Sequence, residues 1–282
     1  MTVNIGIRVF RNFVGMSEAK VQKIEVEGNQ LAYQTIGNGP AILLAFHGFG
    51  QSSQVFRGLE GTLGGQYTLF AVDLFFHGES KYQGSHLLTK AVWQGLIGAF
   101  LQEKNIERFG LMGYSLGGRF ALATVEAFAD RIDQLILIAP DGITRSSWYQ
   151  LATGSSAGRW LFRYFLWHLT ALNRFGHLLT RLGLLNRTAM RFAELSLGTP
   201  EQRKRVYQSW TQFRLISPDL IRIAAWLNTH PVRVRFFTGA FDRIVPGSYV
   251  FPLTKQLRHY ELTVLRTGHN RLIELVADQL RE

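Results

Sequence analysis

A chain of 282 residues can bury a large core, and an α/β protein of this length commonly forms one domain that carries an insertion. The absence of cysteine excludes disulfides, thiolate catalysis and cysteine-ligated zinc or iron–sulfur sites. No apolar run is long enough for a transmembrane helix and no clean secretory signal is present, so we expect a cytoplasmic protein.

Short apolar runs alternate with helical patterns along most of the chain, which is typical of a parallel sheet covered by helices. Residues 1–20 show no clear period and are predicted to form a loosely attached arm. The predicted strands cover residues 24–36 (a hairpin about Gly28), 41–46, 67–72, 109–112, 135–139, 232–238 and 262–265. The predicted helices cover residues 53–63, 88–104, 119–129, 249–257 and 271–281.

The stretch Gly113-Tyr114-Ser115-Leu116-Gly117-Gly118 joins a strand to a helix at a sharp corner. Such a corner forces its central residue to a positive φ, which the flanking glycines make sterically possible. The Gly-x-Ser-x-Gly pattern in this setting is typical of a nucleophile elbow, so Ser115 is predicted to be a nucleophile. Because a lone hydroxyl is a poor nucleophile, a base, an orienting acid and oxyanion donors must come from elsewhere.

The strand pattern lapses between residues 143 and 230, where apolar residues recur at helical spacing. This insertion leaves the sheet after Asp141, on the side of Ser115. We therefore predict a core of residues 21–142 and 231–282 and a helical cap of residues 143–230, with aromatic residues of the cap lining an apolar pocket over the site.

Most of the net charge of +11 lies in the same insertion, which carries eleven Arg and one Lys against three acidic residues. A run of charge is usually a solvated face. Arginine beside aromatic residues also suits an anionic membrane surface or a negatively charged substrate, so both remain open. Nucleic acid is not expected as a partner, because no binding motif accompanies the charge.

Two further residues follow the carboxyl ends of predicted strands, Asp242 and His269. Sites in open α/β sheets form at that edge. The chain order Ser115, Asp242, His269 predicts a triad in which the histidine is the base and the aspartate orients it. Asp141 also follows a buried strand and is the alternative acid.

Four motifs in this order resemble the α/β-hydrolase fold family from about residue 24 onward: His47-Gly48-Phe49-Gly50, the segment 73–80, the elbow, and Gly239 to Pro246 followed by Gly268-His269. The resemblance implies a mostly parallel sheet flanked by helices. It also implies an oxyanion hole formed by the backbone N–H groups of Phe49 and Leu116. His47, Tyr114 and Arg119 are predicted to contact substrate.

These features predict a serine hydrolase acting on a small-molecule ester or acyl substrate, most simply an esterase- or lipase-like enzyme. No metal and no cofactor are expected, since neither metal-ligand spacing nor a nucleotide-binding glycine pattern occurs. The alternatives are a C–C bond hydrolase, a lyase similar to the menaquinone-pathway synthase whose elbow resembles this one, and a non-catalytic binding or membrane-docking protein. The physiological substrate and the oligomeric state stay open.

Overall fold

The computed structural model describes residues 20–84, 86–144, 146–183, 190, 191, 194 and 196–281. The predicted arm, residues 1–20, lies outside these ranges apart from its last residue.

An eight-stranded sheet in the order β1-β2-β4-β3-β5-β6-β7-β8 forms the centre of the described chain. The pairs β1–β2 and β2–β4 are antiparallel and all others are parallel. This confirms the mostly parallel α/β sheet. The strands are β1 Gln22–Val26, β2 Asn29–Ile36, β3 Ala41–Phe46, β4 Tyr67–Val72, β5 Phe109–Tyr114, β6 Ile132–Ile138, β7 Arg233–Gly239 and β8 Glu261–Leu265.

Helices cover both faces of the sheet, and short 3₁₀ turns extend several of them. Trp93, Phe100 and Phe120 belong to the core on one face, while Phe56, Leu272 and Val276 belong to the core on the other. The helices are α1 Glu60–Leu63, α2 Lys90–Glu103, α3 Leu116–Phe128, α4 Ser147–Thr153, α5 Ser156–Trp167, α6 Leu169–Arg181, α7 Pro200–Gln212, α8 Leu220–Thr229, α9 Phe251–Thr254 and α10 Leu272–Gln279.

Strand β5 is buried along its whole length, as its uninterrupted apolar sequence predicts. Its neighbouring residues Leu111 and Met112 point into the two different cores. Because β3 to β8 run parallel, the loops that follow their carboxyl ends share one edge of the sheet. Residue 115 and the loops that begin at residues 47, 73, 139, 240 and 266 therefore all lie at this edge.

Between β6 and β7 the described chain is helical, from α4 to α8. Leu166, Leu197 and Val206 of this insertion form a small core against which Phe49, from the loop after β3, packs. The insertion therefore contacts the edge of the sheet that carries Ser115. The exact division into core and cap stays a prediction.

The expectation that the aromatic residues of the insertion line a pocket is wrong for three of its tryptophans. Trp148, Trp160 and Trp167 are 43, 61 and 57% exposed. On α5, the helical repeat of 3.6 residues places Trp160 and Trp167 opposite the buried side of the helix. The inward-facing rings are those of Phe162 and Trp210, which stack with centroids 5.1 Å apart.

Candidate active site

Ser115 stands at the corner between β5 and α3 with φ +50° and ψ −118°. A residue other than glycine in such a conformation carries strain of about 1–3 kcal/mol, so its surroundings must hold it. The N–H of Ser115 donates to the carbonyl of Ile138 over 2.9 Å, and its carbonyl accepts from Gly118 (2.9 Å) and Asp141 (2.8 Å). These bonds fix the backbone and present the hydroxyl at the edge of the sheet.

Two glycines allow the chain to turn this tightly. A Cβ added to Gly117 would lie 1.9 Å from the carbonyl oxygen of Phe46, and one added to Gly113 would lie 2.7 Å from the Cα of Gly118. Neither contact is sterically possible without moving backbone. The flanking glycines therefore have the role that the sequence pattern predicts.

The side chains of Ser115, His269 and Asp242 form one hydrogen-bonded chain. His269 Nδ1 lies 2.6 Å from Asp242 Oδ2, and Nε2 lies 3.0 Å from Ser115 Oγ. The other carboxylate oxygen of the buried Asp242 accepts from the N–H groups of Ile244 and Val245, each over 2.9 Å. Because an ionised carboxylate only accepts, Nδ1 carries the proton, and Nε2 is free to accept from the serine hydroxyl.

Tyr114 supports the histidine of this chain. Its hydroxyl donates to the backbone carbonyl of His269 over 3.0 Å, and the two rings are stacked with centroids 5.2 Å apart. Burial raises the pKa of Tyr114, so the phenol remains a donor at any ordinary pH. Both the backbone and the ring plane of His269 are thereby fixed by the residue that precedes Ser115.

Asp141, the alternative acid, faces a different partner. Its Oδ2 lies 2.6 Å from Arg119 Nη2, and its Oδ1 accepts from the N–H of Gly142 over 2.8 Å. Arg119 Nη1 also donates to the hydroxyl of Tyr149 on α4, and that hydroxyl donates to the carbonyl of Trp210, each over 3.0 Å. Asp141 therefore pairs with the arginine that links the elbow helix to the insertion, whereas Asp242 contacts the imidazole.

His47 holds the loop after β3 to the loop after β4. Its Nδ1–H donates to the carbonyl of Gly48 over 2.7 Å, and its Nε2 accepts from the N–H of Leu74 over 3.0 Å. Burial lowers the pKa of His47 to about 4, so the ring is neutral near pH 7. Both of its nitrogens are used by the backbone.

The predicted oxyanion donors lie on two segments next to Ser115. Leu116 is the first residue of α3, where a backbone N–H has no acceptor within the helix and the helix dipole favours negative charge. A Cβ added to Gly48 would lie 3.3 Å from Cβ of Ser115, so the loop that continues into Phe49 lies against the nucleophile. The roles of Leu116 and Phe49 stay predictions.

A sequence model of the α/β hydrolase fold matches residues 41–274, which is most of the chain. The chain belongs to the α/β-hydrolase fold family.

Relatives of this α/β-hydrolase fold protein match over parts of their length. An uncharacterised protein of Mycobacterium tuberculosis is 35% identical over 120 residues, or 43% of this chain and 35% of that protein. The pimeloyl-[acyl-carrier protein] methyl ester esterase of Nitrosomonas europaea is 30% identical over 120 residues, 41% of this chain and 44% of that enzyme. The chain thus spans from about a third to under half the length of these relatives.

A solved structure confirms the shared architecture over a longer stretch. An esterase from Rhodococcus sp. ECU1013 superposes with a TM-score of 0.62 at 21% identity, covering 93% of this chain and 97% of that one. At this identity the likeness concerns the fold.

Within this hydrolase fold, the structure brings Ser115, Asp242 and His269 together as the sequence order predicts. His47, Tyr114 and Arg119 instead use their polar atoms in contacts within the protein, and their assignment to substrate binding gains no support from these contacts. The link to Tyr149 was missed by sequence reasoning. No local pattern marks it, because it depends on how α4 packs.

Proposed function

We propose that this protein is a cofactor-independent serine hydrolase that cleaves carboxylic esters through an acyl-enzyme on Ser115. The observation that carries the proposal is the relay in which Asp242 holds His269 Nδ1 at 2.6 Å and Nε2 lies 3.0 Å from the Ser115 hydroxyl. A base within hydrogen-bond reach of a nucleophile, itself held by a buried carboxylate, is the arrangement that activates a serine.

In the first half-reaction, Ser115 Oγ forms a bond to the ester carbonyl carbon as its proton passes to His269 Nε2. The carbonyl electron pair moves to oxygen, and the N–H groups of Leu116 and Phe49 would bind the resulting oxyanion. Asp242 stays ionised and stabilises the imidazolium. When the intermediate collapses, the bond to the alcohol oxygen breaks and His269 gives its proton to that oxygen.

Water then completes the reaction by the same steps. It loses a proton to His269 Nε2 while its oxygen bonds to the acyl carbon, and the second tetrahedral intermediate expels Ser115 Oγ, which takes the proton back. The acid is released and the relay returns to its starting state.

The surroundings of Phe49 support an apolar group on one side of the ester. Phe49 packs against Leu166, Leu197 and Val206 of the insertion, so apolar side chains adjoin the loop of one expected oxyanion donor. The methyl ester esterase among the relatives supports an ester as the bond cleaved.

The lyase alternative requires cations that receive a polycarboxylate. Arg119, the cation nearest to Ser115 along the chain, is paired with Asp141 at 2.6 Å. This pairing favours the hydrolase over the lyase.

A fluorophosphonate probe and a series of p-nitrophenyl esters of increasing chain length test the proposal. The wild-type protein should label and hydrolyse esters, and Ser115→Ala should lose both, with turnover falling on the order of 10⁴-fold or more. Ser248→Ala, which changes an exposed serine, is the matched control and should behave as wild type.

If the wild-type protein does not label, or if Ser115→Ala still turns over ester, the proposal is wrong. If Ser115 is labelled but no ester is turned over, Ser115 would still be the nucleophile, and the C–C bond hydrolase would become the better candidate.

A further inference from the structure

The outward side of α5 is aromatic, where a helix on the surface of a protein is normally polar. Trp160, Tyr164 and Trp167 recur at intervals of four and three residues, which places them on one side, and they are 61, 44 and 57% exposed. We name this surface the aromatic face of α5; it consists of Trp160, Leu161, Tyr164 and Trp167. On the neighbouring helix α4, Trp148 and Leu151 are also exposed, at 43 and 67%.

The core of the protein does not require this surface to be apolar. On the opposite side of α5, Leu166 is 1% exposed and Phe162 stacks on Trp210, so the inner side already supplies the packing of the helix. A helix that is apolar on both sides is normally buried on both sides. Large exposed apolar side chains that cluster together mark an interaction site.

The segment of the chain that carries the aromatic face has only positive charge. Residues 146–183 contain four arginines and neither Asp nor Glu. Arg163 is exposed beside Trp160 and Tyr164 on α5, and Arg174 and Arg181 are exposed on α6. A partner that fits this surface therefore combines negative charge with an apolar layer.

We propose that the aromatic face of α5 docks this protein onto the surface of an anionic lipid bilayer. Tryptophan and tyrosine side chains suit the boundary between headgroups and acyl chains, since each has an apolar ring and a polar atom. The guanidinium of Arg163 matches a lipid phosphate. No helix in the described part of the chain is both long and apolar enough to cross a bilayer, so α5 would lie in the plane of the interface.

A second copy of this chain fits the surface less well. A two-fold interface brings the same patch of both subunits together. Arg163 beside one aromatic face would then approach Arg163 beside the other, and like charges in contact repel. Phospholipid supplies the opposite charge that this surface lacks.

Vesicle co-sedimentation of the full chain tests this inference, which does not depend on the proposed function. Vesicles of phosphatidylcholine alone are compared with vesicles containing about a third phosphatidylglycerol, at low and high salt, because exposed charges are screened over about 10 Å at 0.1 M salt. The protein should bind the anionic vesicles at low salt, bind them less at high salt, and leave neutral vesicles unbound. Lipids brominated near the headgroup should quench its tryptophan fluorescence.

Two variants and two matched controls separate the aromatic and charged contributions. The double variant Trp160→Ser/Trp167→Ser and the variant Arg163→Glu should each weaken vesicle binding about tenfold. Ile221→Ser and Arg222→Glu make the same kinds of change on α8, where Ile221 is 76% exposed. Since α8 packs on α3 and α9 whereas α5 packs on α4, α6 and α7, these controls should bind as wild type.

Three results would overturn the inference. Anionic vesicles at low salt could leave the protein unbound. Arg222→Glu could weaken binding as much as Arg163→Glu, which would show that binding depends on the net charge of the protein and not on the position of Arg163. A dimer could form without lipid and dissociate in Trp160→Ser/Trp167→Ser, which would make the aromatic face an interface between copies. Circular dichroism of each variant checks that the fold is kept.

Discussion

Two sets of loops at the same edge of the sheet carry the same residue types and use them differently. After β7 and β8, Asp242 binds His269, and one imidazole nitrogen remains for the hydroxyl of Ser115. After β3 and β4, His47 bonds to backbone on both nitrogens, and the carboxylate of Asp73 accepts two backbone N–H groups. A histidine and an aspartate past the ends of strands are therefore insufficient for chemistry, and the partner of each polar atom decides its role.

The largest expected effect is on activity, and it distinguishes Asp242 from Asp73. Asp242→Asn should lower kcat/KM on a p-nitrophenyl ester on the order of 10⁴-fold without unfolding the protein, because an amide cannot hold the imidazole in the required tautomer. Its Oδ1 can still accept from Ile244 and Val245, so the loop should keep its shape. Steady-state kinetics and a thermal melt measure the two quantities.

Asp73→Asn is the matched control, since it makes the same change in the other set of loops. The carboxylate accepts from Ser53 (2.6 Å) and Glu79 (2.8 Å), and an amide nitrogen facing either N–H should cost about 1–3 kcal/mol in the free energy of unfolding. The folded variant should keep kcat/KM within about tenfold of wild type. If it lost as much activity as Asp242→Asn, the distinction between the two sets of loops would fail.

A second prediction uses the buried histidines of the loops after β3 and β4. Burial lowers the pKa of His47 to about 4; burial, followed by the neighbouring His47, lowers that of His77 to about 3. Each ring is neutral when folded but takes up a proton near pH 6.5 when unfolded, so the unfolded state binds more protons in acid. The free energy of unfolding should fall as the pH drops from about 6.5 towards 4, by roughly 3 kcal/mol for His47 alone.

Urea unfolding followed by tryptophan fluorescence between about pH 7 and pH 4 measures this slope. His77→Asn retains a donor for the carbonyl of Phe75, which His77 Nδ1 contacts at 2.9 Å. For this variant, the slope of the free energy of unfolding against pH should correspond to about one proton fewer than for the wild type. An unchanged slope would mean that His77 binds as many protons in the folded protein as in the unfolded one, so that folding does not lower its pKa.

The smallest expected effect concerns the link between the elbow helix and the insertion. Tyr149→Phe removes the hydroxyl that accepts from Arg119 and donates to the carbonyl of Trp210. We expect a loss of about 1–2 kcal/mol in the free energy of unfolding, with turnover reduced only a few-fold. Tyr164→Phe, which changes an exposed tyrosine on α5, should cost less than about 0.5 kcal/mol. Equal effects from the two variants would show that the link contributes nothing.

The sequence predicts well those parts of the fold that neighbouring residues determine. The apolar runs that form β3, β4, β5 and β6 predict buried strands without knowledge of their neighbours in the sheet. The glycines next to Ser115 predict the sharp corner between β5 and α3. The order of Ser115, Asp242 and His269 predicts their meeting, since each follows a parallel strand and these strands end at one edge.

Features that depend on distant contacts could not be predicted in this way. The position of β2 between β1 and β4 follows from long-range pairing that no local pattern specifies. The predicted helix at residues 53–63 is a 3₁₀ turn, Ser53–Leu59, followed by the short α1. The direction of Trp160 and Trp167 depends on which side of α5 packs inward. The composition of the insertion does not determine whether these two tryptophans face the interior or the solvent.

The contacts of Arg119 also bear on how members of this fold family can be recombined. Arg119 and Asp141 precede the insertion, while Tyr149 lies inside it, so a crossover at residue 143 separates one partner from the other two. A chimera that receives residues 143–230 from a family member without a hydrogen-bonding side chain at the position of Tyr149 would leave Arg119, which is 9% exposed, without one of its acceptors. Libraries that exchange this segment should therefore favour donors with a hydrogen-bonding side chain at the position of Tyr149.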